Sequence, residues 1–356
     1  MKKRTAATHE GTGPLMSDVA RLAGVAVSTV SRALGNPGRV NEETRQRIAA
    51  AAEQLGYTPN AAARNLRVGR SDIVMVVLPG PLFYGASQTV SEVLDGVDTE
   101  LTKAGFHLLI ANLDRDEDTE RHILDLAFGG TVRGAIILAS ELPHHGNRTL
   151  SDAGIPIVSV LLDLTGKGVP SVVTNEREAM RAAAQRLIAT GHRHFYFVAG
   201  PIGNFHDVER YGGLIEALDA AGLGEGAVRR FGQFYDFREG FACGSAAAAA
   251  FIALDERPTA VLCCSDDIAI AFMHTIRRAG IAVPEAVSVM GFDGAAVGEF
   301  CGPGLATIRQ PTVDMGAAAA QGLLKAIAGE AALAERIVLP SEWLERGSTA
   351  PAPTPS

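Results

Sequence analysis

The chain has 356 residues, of which 47% are hydrophobic, and this length is enough for more than one domain with a sizeable core. The formal net charge is −8, but it is unevenly distributed. Residues 1–70 contain 11 Lys and Arg against 5 Asp and Glu, a net charge of +6, which leaves −14 for the rest. A basic segment on an acidic body is suited to phosphate contact by that segment alone.

Several classes of protein are excluded by what the sequence lacks. The first 14 residues begin with Lys-Lys-Arg but have no apolar segment of a signal peptide, so we expect a disordered basic arm over 1–14. No apolar run is long enough to cross a membrane, and we expect a cytoplasmic protein. The sequence also lacks the GxxxxGKS/T, GxGxxG and GxSxG motifs. We therefore expect no enzyme and no cofactor.

Cysteines and histidines show no metal-binding pattern. The four cysteines have no CxxC spacing, and we expect reduced, buried thiols at Cys243, Cys263, Cys264 and Cys301. The histidine pairs have no Cys or carboxylate at the spacing of metal ligands. We expect no metal site and solvated loop side chains at His144, His145, His192 and His194.

Three short helical patterns follow one another near the N-terminus. Residues 18–23 predict a helix that ends at Gly24, and residues 27–34 predict a second one before a Gly-Asn-Pro-Gly turn. Asn41 is placed to cap a third helix, which ends at Gly56. Two short helices joined at a Gly-containing turn form a helix-turn-helix, whose second helix enters the DNA major groove. A small three-helix bundle without a DNA role has the same spacing.

The residues within these helices are more specific than their spacing. From Asp18 the chain reads Asp-Val-Ala-x-x-Ala-Gly-Val-x-x-x-Thr-Val-Ser-Arg, and then Val-x-x-x-Thr-Arg, Leu-Gly-Tyr-x-Pro-Asn and Ala-Arg-x-Leu up to Leu66. This stretch resembles the headpiece of the lactose-repressor (LacI/GalR) family. The resemblance implies a helix-turn-helix DNA-binding domain over 15–59 and a hinge helix or linker over 60–70.

The resemblance also implies roles for individual residues. It places Val27 and Ser28 at the positions that discriminate most between operators, and it lets Arg32 pair with a guanine. Leu66 would be an apolar wedge in the minor groove, although an ordinary linker residue is the alternative. The family commonly has a Thr cap where this chain has Leu15, so Ser17 is expected to cap the first helix instead. The implied DNA-binding residues are Ser17, Val27, Ser28, Thr29, Ser31, Arg32, Asn41, Tyr57, Asn60, Ala63, Leu66 and Arg67.

From Ser71 onward, short apolar runs alternate with amphipathic segments. Such runs separated by helices predict parallel strands covered on both faces. The series restarts near Glu176, which predicts two doubly wound units with a ligand site between their strand ends. Strands are predicted at 73–78, 108–111, 135–138, 157–160, 195–199, 260–264 and 287–291. Helices are predicted at 90–103, 120–128, 176–190, 209–221, 240–254 and 267–279.

Motifs of this body resemble the effector-binding core of the same family, which is like a periplasmic sugar-binding protein. They are Gly191-His192-Arg193, Arg210-Tyr211-Gly212-Gly213, Ser265-Asp266-Asp267, the run from Val283 to Asp293, and Gln310-Pro311. The fold class is therefore an all-α headpiece plus an α/β core of two doubly wound parallel-sheet subdomains over 71–346. The implied division is an N-subdomain of 71–173 plus 303–335, a C-subdomain of 174–302 plus 336–346, and a disordered tail of 347–356.

Candidate effector residues lie where the predicted strands end. The planar guanidinium of Arg210 suits two vicinal hydroxyls or a carboxylate. Asp267 and Asp293 have a second interpretation as helix caps, and Arg210 as a surface ion-pair residue. The aromatic candidates have a second interpretation as packing residues. The implied effector residues are Phe83, Tyr84, Asn204, His206, Arg210, Phe234, Asp266, Asp267 and Asp293.

Together these patterns predict a sequence-specific, homodimeric transcription regulator, a repressor bound to pseudo-palindromic operator DNA. A small-molecule effector, a sugar or sugar derivative, would bind between the core subdomains and control operator affinity. A nucleobase- or nucleoside-responsive corepressor-type regulator stays open, and so does a sugar phosphate as effector. Two other classes are less well supported. The N-terminal helix-turn-helix argues against a solute-binding protein without a DNA role, and the absence of catalytic motifs argues against a sugar-modifying enzyme.

Overall fold

The chain forms two compact units, Met1–Ser71 and Asp72–Ser356, which we call the headpiece and the core. The predicted basic arm, apart from Pro14, and the whole hinge segment 60–70 lie outside the described residues. The computed structural model describes residues 14–35, 40–57, 71–80, 88–113, 117–200, 203–232, 240–330 and 334–354.

Three helices form the headpiece: α1 (Met16–Ala23), α2 (Val27–Gly35) and α3 (Glu42–Leu55). Gly24 ends α1 in the left-handed region, with φ of 66°, which a glycine adopts without steric cost. The helices share a small core made by Val19, Ala20, Ala23, Val30, Ala33, Ile48 and Ala51. The headpiece therefore has a hydrophobic core of its own.

The predicted cap of α3 is confirmed, and the predicted cap of α1 is wrong. The Asn41 side chain caps α3 by accepting a 2.9 Å hydrogen bond from the Thr44 N–H, as predicted. Ser17, in contrast, is not the cap of α1, because the helix begins at Met16, two residues earlier than predicted, and Leu15 holds the cap position. The Asp18 carboxylate satisfies the exposed helix end by accepting from the Leu15 N–H at 2.9 Å.

The core alternates strands with helices. Its strands are β1 (Ile73–Leu78), β2 (His107–Asn112), β3 (Gly134–Ile137), β4 (His144–His145), β5 (Arg148–Thr149), β6 (Ile157–Val160), β7 (Ser171–Thr174), β8 (Phe195–Val198), β9 (Val228–Phe231), β10 (Ala260–Cys263), β11 (Ser288–Met290), β12 (Thr307–Arg309), β13 (Arg336–Leu339) and β14 (Glu342–Leu344). Its helices are α4 (Gln88–Lys103), α5 (Glu117–Phe128), α6 (Glu176–Ala189), α7 (Phe205–Ala220), α8 (Gly240–Ile252), α9 (Asp266–Arg278) and α10 (Thr312–Ala328).

The N-subdomain is built on a six-stranded parallel sheet in the order β13-β7-β6-β3-β1-β2. Its strands are apolar on both faces, because α4 and α10 cover one face and α5 the other. Helices α4 and α10 approach closely at Gly96 and Gly316. A Cβ at Gly96 would lie 2.0 Å from the Val313 carbonyl oxygen, and one at Gly316 2.1 Å from that of Val93, so neither position accepts a side chain.

The C-subdomain is built on a four-stranded parallel sheet in the order β11-β10-β8-β9, covered by α6 to α9. Large aromatic side chains fill its core, and those of Phe195, Phe197, Phe251, Phe272 and Phe292 are fully buried. Tyr196 packs edge-on against Phe251, with ring centroids 5.3 Å apart. In the described part of the chain, no helix is long and apolar enough to cross a membrane.

The segments after residue 300 differ from the predicted division. Strand β13 (336–339) pairs with β7 in the N-subdomain sheet, whereas the sequence placed 336–346 in the C-subdomain. Residues 303–309, predicted for the N-subdomain, lie instead beside the C-subdomain, where Ala306 bridges Met290 and Arg309 bridges Asp293. Apolar runs predict that a strand exists but not which sheet it joins, so pairing settled what the pattern left open.

The chain therefore crosses between subdomains at 174–176, at 309–312 and at 339–342. Two of these crossings leave the carboxyl ends of β7 and β13. The first crossing is joined to the carboxyl end of β10 by Arg210, which donates to both Glu176 and the Cys264 carbonyl. The third crossing lies beside the first, because the Ser341 N–H donates to Asn175 Oδ1. The carboxyl edges of the two sheets consequently face the same set of crossings, which is where ligands bind in open α/β sheets.

The C-terminal segment is ordered up to Thr354, so the prediction of a disordered tail over 347–356 is wrong for the described residues. Ser348 is fully buried, and its backbone carbonyl accepts from the Val289 N–H at 2.9 Å. Its hydroxyl donates to the Val289 carbonyl and accepts from the Ala306 N–H. The Pro- and Ala-rich composition suggested disorder, but these backbone groups complete the edge of the C-subdomain sheet.

His192 is fully buried, which contradicts the prediction of a solvated loop histidine. Its Nε2 atom lies 3.0 Å from the carbonyl oxygen of Ala350 and its Nδ1 atom 2.9 Å from the Thr259 hydroxyl. A carbonyl only accepts, so Nε2 carries the proton and neutral imidazole accepts from Thr259. Burial lowers the pKa of His192, with a smaller effect of Arg193 in the same direction and an opposing one from Ala350.

We predict that His192 makes the stability of the core depend on pH. Between the lowered pKa of native His192 and its ordinary value near 6.5, the unfolded chain binds more protons than the native one. The free energy of unfolding therefore has its full value, as far as His192 is concerned, above about pH 6.5, and it decreases as pH falls through that window. The loss is about 1.4 kcal/mol for each unit of lowering. Urea unfolding at about pH 7.5 and about pH 5 measures it.

Two matched variants isolate the effect. His192→Gln should unfold with a smaller difference between the two pH values than the wild-type chain does. His194→Gln, two residues away on an exposed side chain, should keep the wild-type difference. An unchanged pH difference in His192→Gln would show that His192 titrates alike in the folded and unfolded chains.

Candidate functional site

The second headpiece helix has two distinct faces. Val30 and Ala33 are buried in the headpiece core, while Val27, Ser28 and Arg32 are exposed. Ser28 and Arg32 share a helix face because they are four residues apart, and Val27 precedes Ser28 in the first turn. An exposed strip with a short apolar group, a hydroxyl and a guanidinium near the helix N-terminus has the chemistry of base readout in a major groove.

The other predicted DNA-binding residues occupy varied positions. Thr29 and Ser31 are half-buried beside the exposed strip. The Asn41 side chain is engaged as a helix cap, and Tyr57 packs against the headpiece core. Ser17 is exposed in the first turn of α1. The predicted hinge residues Asn60, Ala63, Leu66 and Arg67 lie outside the described residues.

In the core, the carboxyl edge of the C-subdomain sheet gathers most of the predicted effector residues. Asn204, His206 and Arg210 lie at the start of α7, just after β8. Asp266 and Asp267 open α9 after β10, and Asp293 follows β11. Because these strands are parallel, their ends meet at one edge. The aromatic candidates Phe83, Tyr84 and Phe234 lie outside the described residues.

Arg210 is the centre of this cluster and is not a surface residue, since it is only 3% exposed. Its Nε atom donates to Glu176 Oε2 at 2.7 Å, and its Nη1 atom donates to the Cys264 carbonyl at the end of β10. Nη1 also lies 3.7 Å from Asp293 Oδ1. The guanidinium carbon stacks 3.7 Å from the centre of the Phe292 ring. Arg210 thus joins the ends of three strands and the first crossing.

Glu176 is the partner that sequence reasoning missed. It opens α6 directly after the first crossing, is 2% exposed, and accepts from both Arg210 and His206, whose Nδ1 lies 2.7 Å from Glu176 Oε1. Burial alone would raise the pKa of Glu176, but the charges and hydrogen bonds of Arg210 and His206 lower it to about 2. An acid in the first turn of a helix is so common that its sequence position carried no signal.

Asp293 has an unusual backbone. Its φ is 122°, a region that residues other than glycine rarely adopt and that costs of order 1–3 kcal/mol. The Gln310 amide donates to Asp293 Oδ1 at 2.9 Å from the second crossing. Burial and the charge of Asp266 raise the pKa of Asp293, although Arg210 acts in the opposite direction. Backbone strain of this kind concentrates at functional sites, and here it holds a partly exposed carboxyl beside the second crossing.

Asp266 faces the protein interior. Its carboxylate accepts from the Thr307 hydroxyl and from the Ala295 N–H, each at 2.6 Å, and the residue is 1% exposed. Burial raises the pKa of Asp266 despite these hydrogen bonds. The geometry makes Asp266 a support for the loop that carries Asp293, behind the surface available to a ligand.

Two further candidates are partly engaged. Asn204 caps α7, its Oδ1 accepting from the Asp207 N–H at 2.8 Å, while its buried Nδ2 has no partner among the described residues. Asp267 is half-buried in the first turn of α9, whose cap is Ser265. Burial raises the pKa of Asp267. Within the described residues, no group of three or more metal-binding side chains was found.

We predict that Glu176→Gln destabilises the core strongly, because it leaves the Arg210 charge buried without its full counter-charge. Removing one partner of a buried ion pair costs about 3–5 kcal/mol. The control is Glu216→Gln on α7, whose carboxylate pairs with Arg177 at the surface and is 41% exposed. Such pairs are worth below about 1 kcal/mol. Equal unfolding free energies for the two variants would contradict the role of the buried pair.

Comparison with known proteins gives the family of both units. Residues 15–60 match "Bacterial regulatory proteins, lacI family", and residues 184–349 match "Periplasmic binding protein-like domain". The HTH-type transcriptional repressor CytR of Escherichia coli strain K12 is 31% identical over 355 residues, which cover 99% of each chain.

Solved structures are similar over nearly the whole length. The transcriptional regulator CelR in complex with cellobiose is 30% identical, with a TM-score of 0.66, over 94% of this chain and 99% of that one. The lac repressor dimer bound to operator and an anti-inducer is 23% identical, with a TM-score of 0.81, over 95% of this chain and 99% of that one, which supports the fold. The chain belongs to the lacI family of bacterial regulatory proteins.

Proposed function

We propose that this protein is a transcriptional repressor that binds a pseudo-palindromic operator as a homodimer. A sugar-like effector either lowers or raises its affinity for the operator. The observation that carries the proposal is the exposed strip of Val27, Ser28 and Arg32 on α2, in a chain related over its full length to a transcriptional repressor. Two headpieces would read two half-sites related by the dimer axis.

The remaining parts of the proposal follow from this role. The hinge residues Asn60, Ala63 and Arg67 would approach the minor groove, and Leu66 would wedge into the central base step. Because its partner is chromosomal DNA, we expect the protein in the cytoplasm. The family consists of regulators, and we propose that the core binds its ligand without chemical conversion.

The operator is found by selecting bound duplexes from a random library with the full chain, followed by affinity measurement on the selected sequence. Recovery of a palindromic sequence with affinity at least about a thousandfold above random DNA supports the proposal. The selection is run both without and with cellobiose, because the effector is either an inducer or a corepressor, and enrichment of no sequence under either condition would overturn the proposal.

We predict that Arg32→Ala weakens binding to the selected operator by about 1–3 kcal/mol and relaxes the preference at one base pair per half-site, because it removes a bidentate contact to a guanine. The control is Arg21→Ala on α1, which removes another exposed guanidinium, one that pairs with Asp18. It should change affinity alike for all sequences. A base preference unchanged by Arg32→Ala would remove Arg32 from base readout.

For the effector site, we propose the edge occupied by Asp293, His206 and Asn204. The support is that the related CelR binds cellobiose, and that the side chain of Asp293 is 23% exposed beside two crossings. A carboxylate accepts two hydrogen bonds from neighbouring hydroxyls, which is how a sugar is commonly oriented. Phe83, Tyr84 and Phe234 stay candidates for stacking on a ring face.

A chain of hydrogen bonds links this edge to the N-subdomain. The Ala296 N–H, three residues after Asp293, donates to Gln88 Oε1 at 2.8 Å. Gln88 Nε2 donates to Glu92 Oε1 at 2.5 Å, and the Thr312 hydroxyl at the start of α10 donates to Glu92 Oε2. We propose that effector binding moves the loop after Asp293 and that Gln88 passes this movement to α4.

We predict that Gln88→Ala reduces the effector-induced change in operator affinity by about 0.5–2 kcal/mol while leaving the dissociation constant of the effector within about threefold. Cellobiose is the first ligand to use. The control is Gln321→Ala, because Gln321 donates to Glu100 Oε2 within the N-subdomain. If both variants respond like the wild-type chain, Gln88 does not carry the coupling.

A further inference from the structure

We propose that Asn175 is a positioning residue that makes the three crossings between the subdomains move as one unit, and that this unit is needed for an effector to change operator affinity. The second half of the inference rests on the proposed function, because it concerns the response of the regulator. The first half concerns the core alone and is tested without any ligand. Its basis is the hydrogen bonding of the Asn175 side chain to the third crossing.

The Asn175 side chain lies where the backbone pairing of the first and third crossings stops. Strands β7 and β13 are paired up to Thr174 and Leu339, and the Thr174 hydroxyl donates to the Leu339 carbonyl at 2.9 Å. The next residue of the third crossing is Pro340, which has no N–H group and cannot extend a ladder. Asn175 Oδ1 instead accepts from both the N–H and the hydroxyl of Ser341, each at 2.8 Å. An amide oxygen therefore joins the two crossings beyond the end of the sheet.

The third crossing is joined to the second by backbone pairing. Strands β12 and β14 form an antiparallel pair, in which Ile308 lies opposite Trp343 and Arg309 opposite Glu342. Strand β12 leads into the second crossing and β14 follows the third, both on the C-subdomain side. The third crossing is consequently held between the other two, by Asn175 on one side and by β12 on the other.

The second crossing is joined back to the first through the buried ion pair. Gln310 donates to Asp293 Oδ1 at 2.9 Å, and Arg210 Nη1 lies 3.7 Å from the same oxygen. The Arg210 Nε atom donates at 2.7 Å to Glu176, the residue that follows Asn175. These contacts form a closed ring through all three crossings, which we call the crossing ring. Asn175 is the member of the crossing ring that links the first crossing to the third.

The crossing ring restricts how the subdomains can move. Three chain segments that are fixed to one another near their midpoints do not shift independently, and the low-energy motion left to them is a rotation of one subdomain against the other, which is hinge closure. Without the Asn175 contact, the third crossing moves relative to the first, and a displacement of Asp293 is absorbed by one segment. We therefore expect Asn175 to affect the coupling between the sites more than either site itself.

Hydrogen exchange of the full chain without ligand is the first test. In Asn175→Ala the Ser341 N–H loses its acceptor, and we expect the segment 338–344 to exchange about two- to tenfold faster than in the wild-type chain. If the crossings form one unit, the segment 305–312 around the second crossing also exchanges faster, at the far side of the crossing ring. Faster exchange confined to 338–344, or none there, overturns the proposal, because the Asn175 contact then acts at most locally.

Three variants separate this contact from general destabilisation. Asn175→Asp keeps an oxygen that accepts both donors and should exchange more slowly than Asn175→Ala. Ser341→Ala removes the hydroxyl but keeps the N–H, and should have an intermediate effect. The matched control is Asp152→Ala, because Asp152 Oδ2 also accepts from the N–H and the hydroxyl of one residue, Thr149, each at 2.9 Å. Faster exchange of 305–312 in Asp152→Ala would show that any weakened contact releases the crossings, and would overturn the proposal.

The regulatory half is tested by operator binding with and without effector. Cellobiose, glucose, ribose, adenosine and cytidine are screened by thermal melting, and the compound with the largest shift is used. We expect Asn175→Ala to reduce the effector-induced change in operator affinity at least about threefold, while the dissociation constants of the effector and of the operator alone stay within about threefold. Loss of stability lowers the folded fraction under both conditions and does not produce this split. A full response in Asn175→Ala overturns the regulatory half.

Failure of this inference is distinguishable from failure of the proposed function. A chain that selects no operator but shows faster exchange at both crossings in Asn175→Ala has crossings that move as one unit in a protein with another role. A chain that selects a palindromic operator but shows faster exchange confined to 338–344 is a regulator whose coupling takes another route, such as Gln88. If no compound of the panel binds, the exchange result alone decides the proposal.

Discussion

The buried ion pair between Glu176 and Arg210 is the interaction on which the core site depends. A guanidinium taken out of water is tolerated only with a counter-charge and satisfied hydrogen bonds, and here both come from segments far apart in the sequence. The pair fixes α6 against α7 and the end of β10. The position of Asp293 therefore depends on the Glu176–Arg210 pair, and a ligand need not contact that pair.

The proposed effector site shares residues with the second crossing between the subdomains of the core. Asp293 is reached by Gln310 from the second crossing, and the loop after it is held by Asp266 and Thr307. A side chain in a strained backbone conformation, gripped from two segments, has few ways to move alone. Under the proposed function, a ligand that moves Asp293 would therefore have to move the second crossing as well.

Periodicity and motifs were enough to predict the architecture and the neighbourhood of Arg210, Asp266 and Asp293, because parallel strands bring their carboxyl ends together whatever their exact bounds. They could not assign β13 to its sheet, since its four residues alternate between exposed and half-buried positions, and this alternation does not say which strand is the partner. Glu176 was missed because its importance lies in a contact 34 residues away. His192 and the tail were misjudged because composition describes local preference and not the backbone groups that a sheet edge leaves unpaired.

The late position of β13 and of the tail has a consequence for synthesis. Residues 336–339 complete the N-subdomain sheet, and Ser348 and Ala350 complete the edge of the C-subdomain. Neither subdomain can complete its sheet while these C-terminal segments are still inside the ribosome. The headpiece helices emerge first and have their own small core. A message cut short near its end would thus yield a folded DNA-reading module attached to an unfinished sensor.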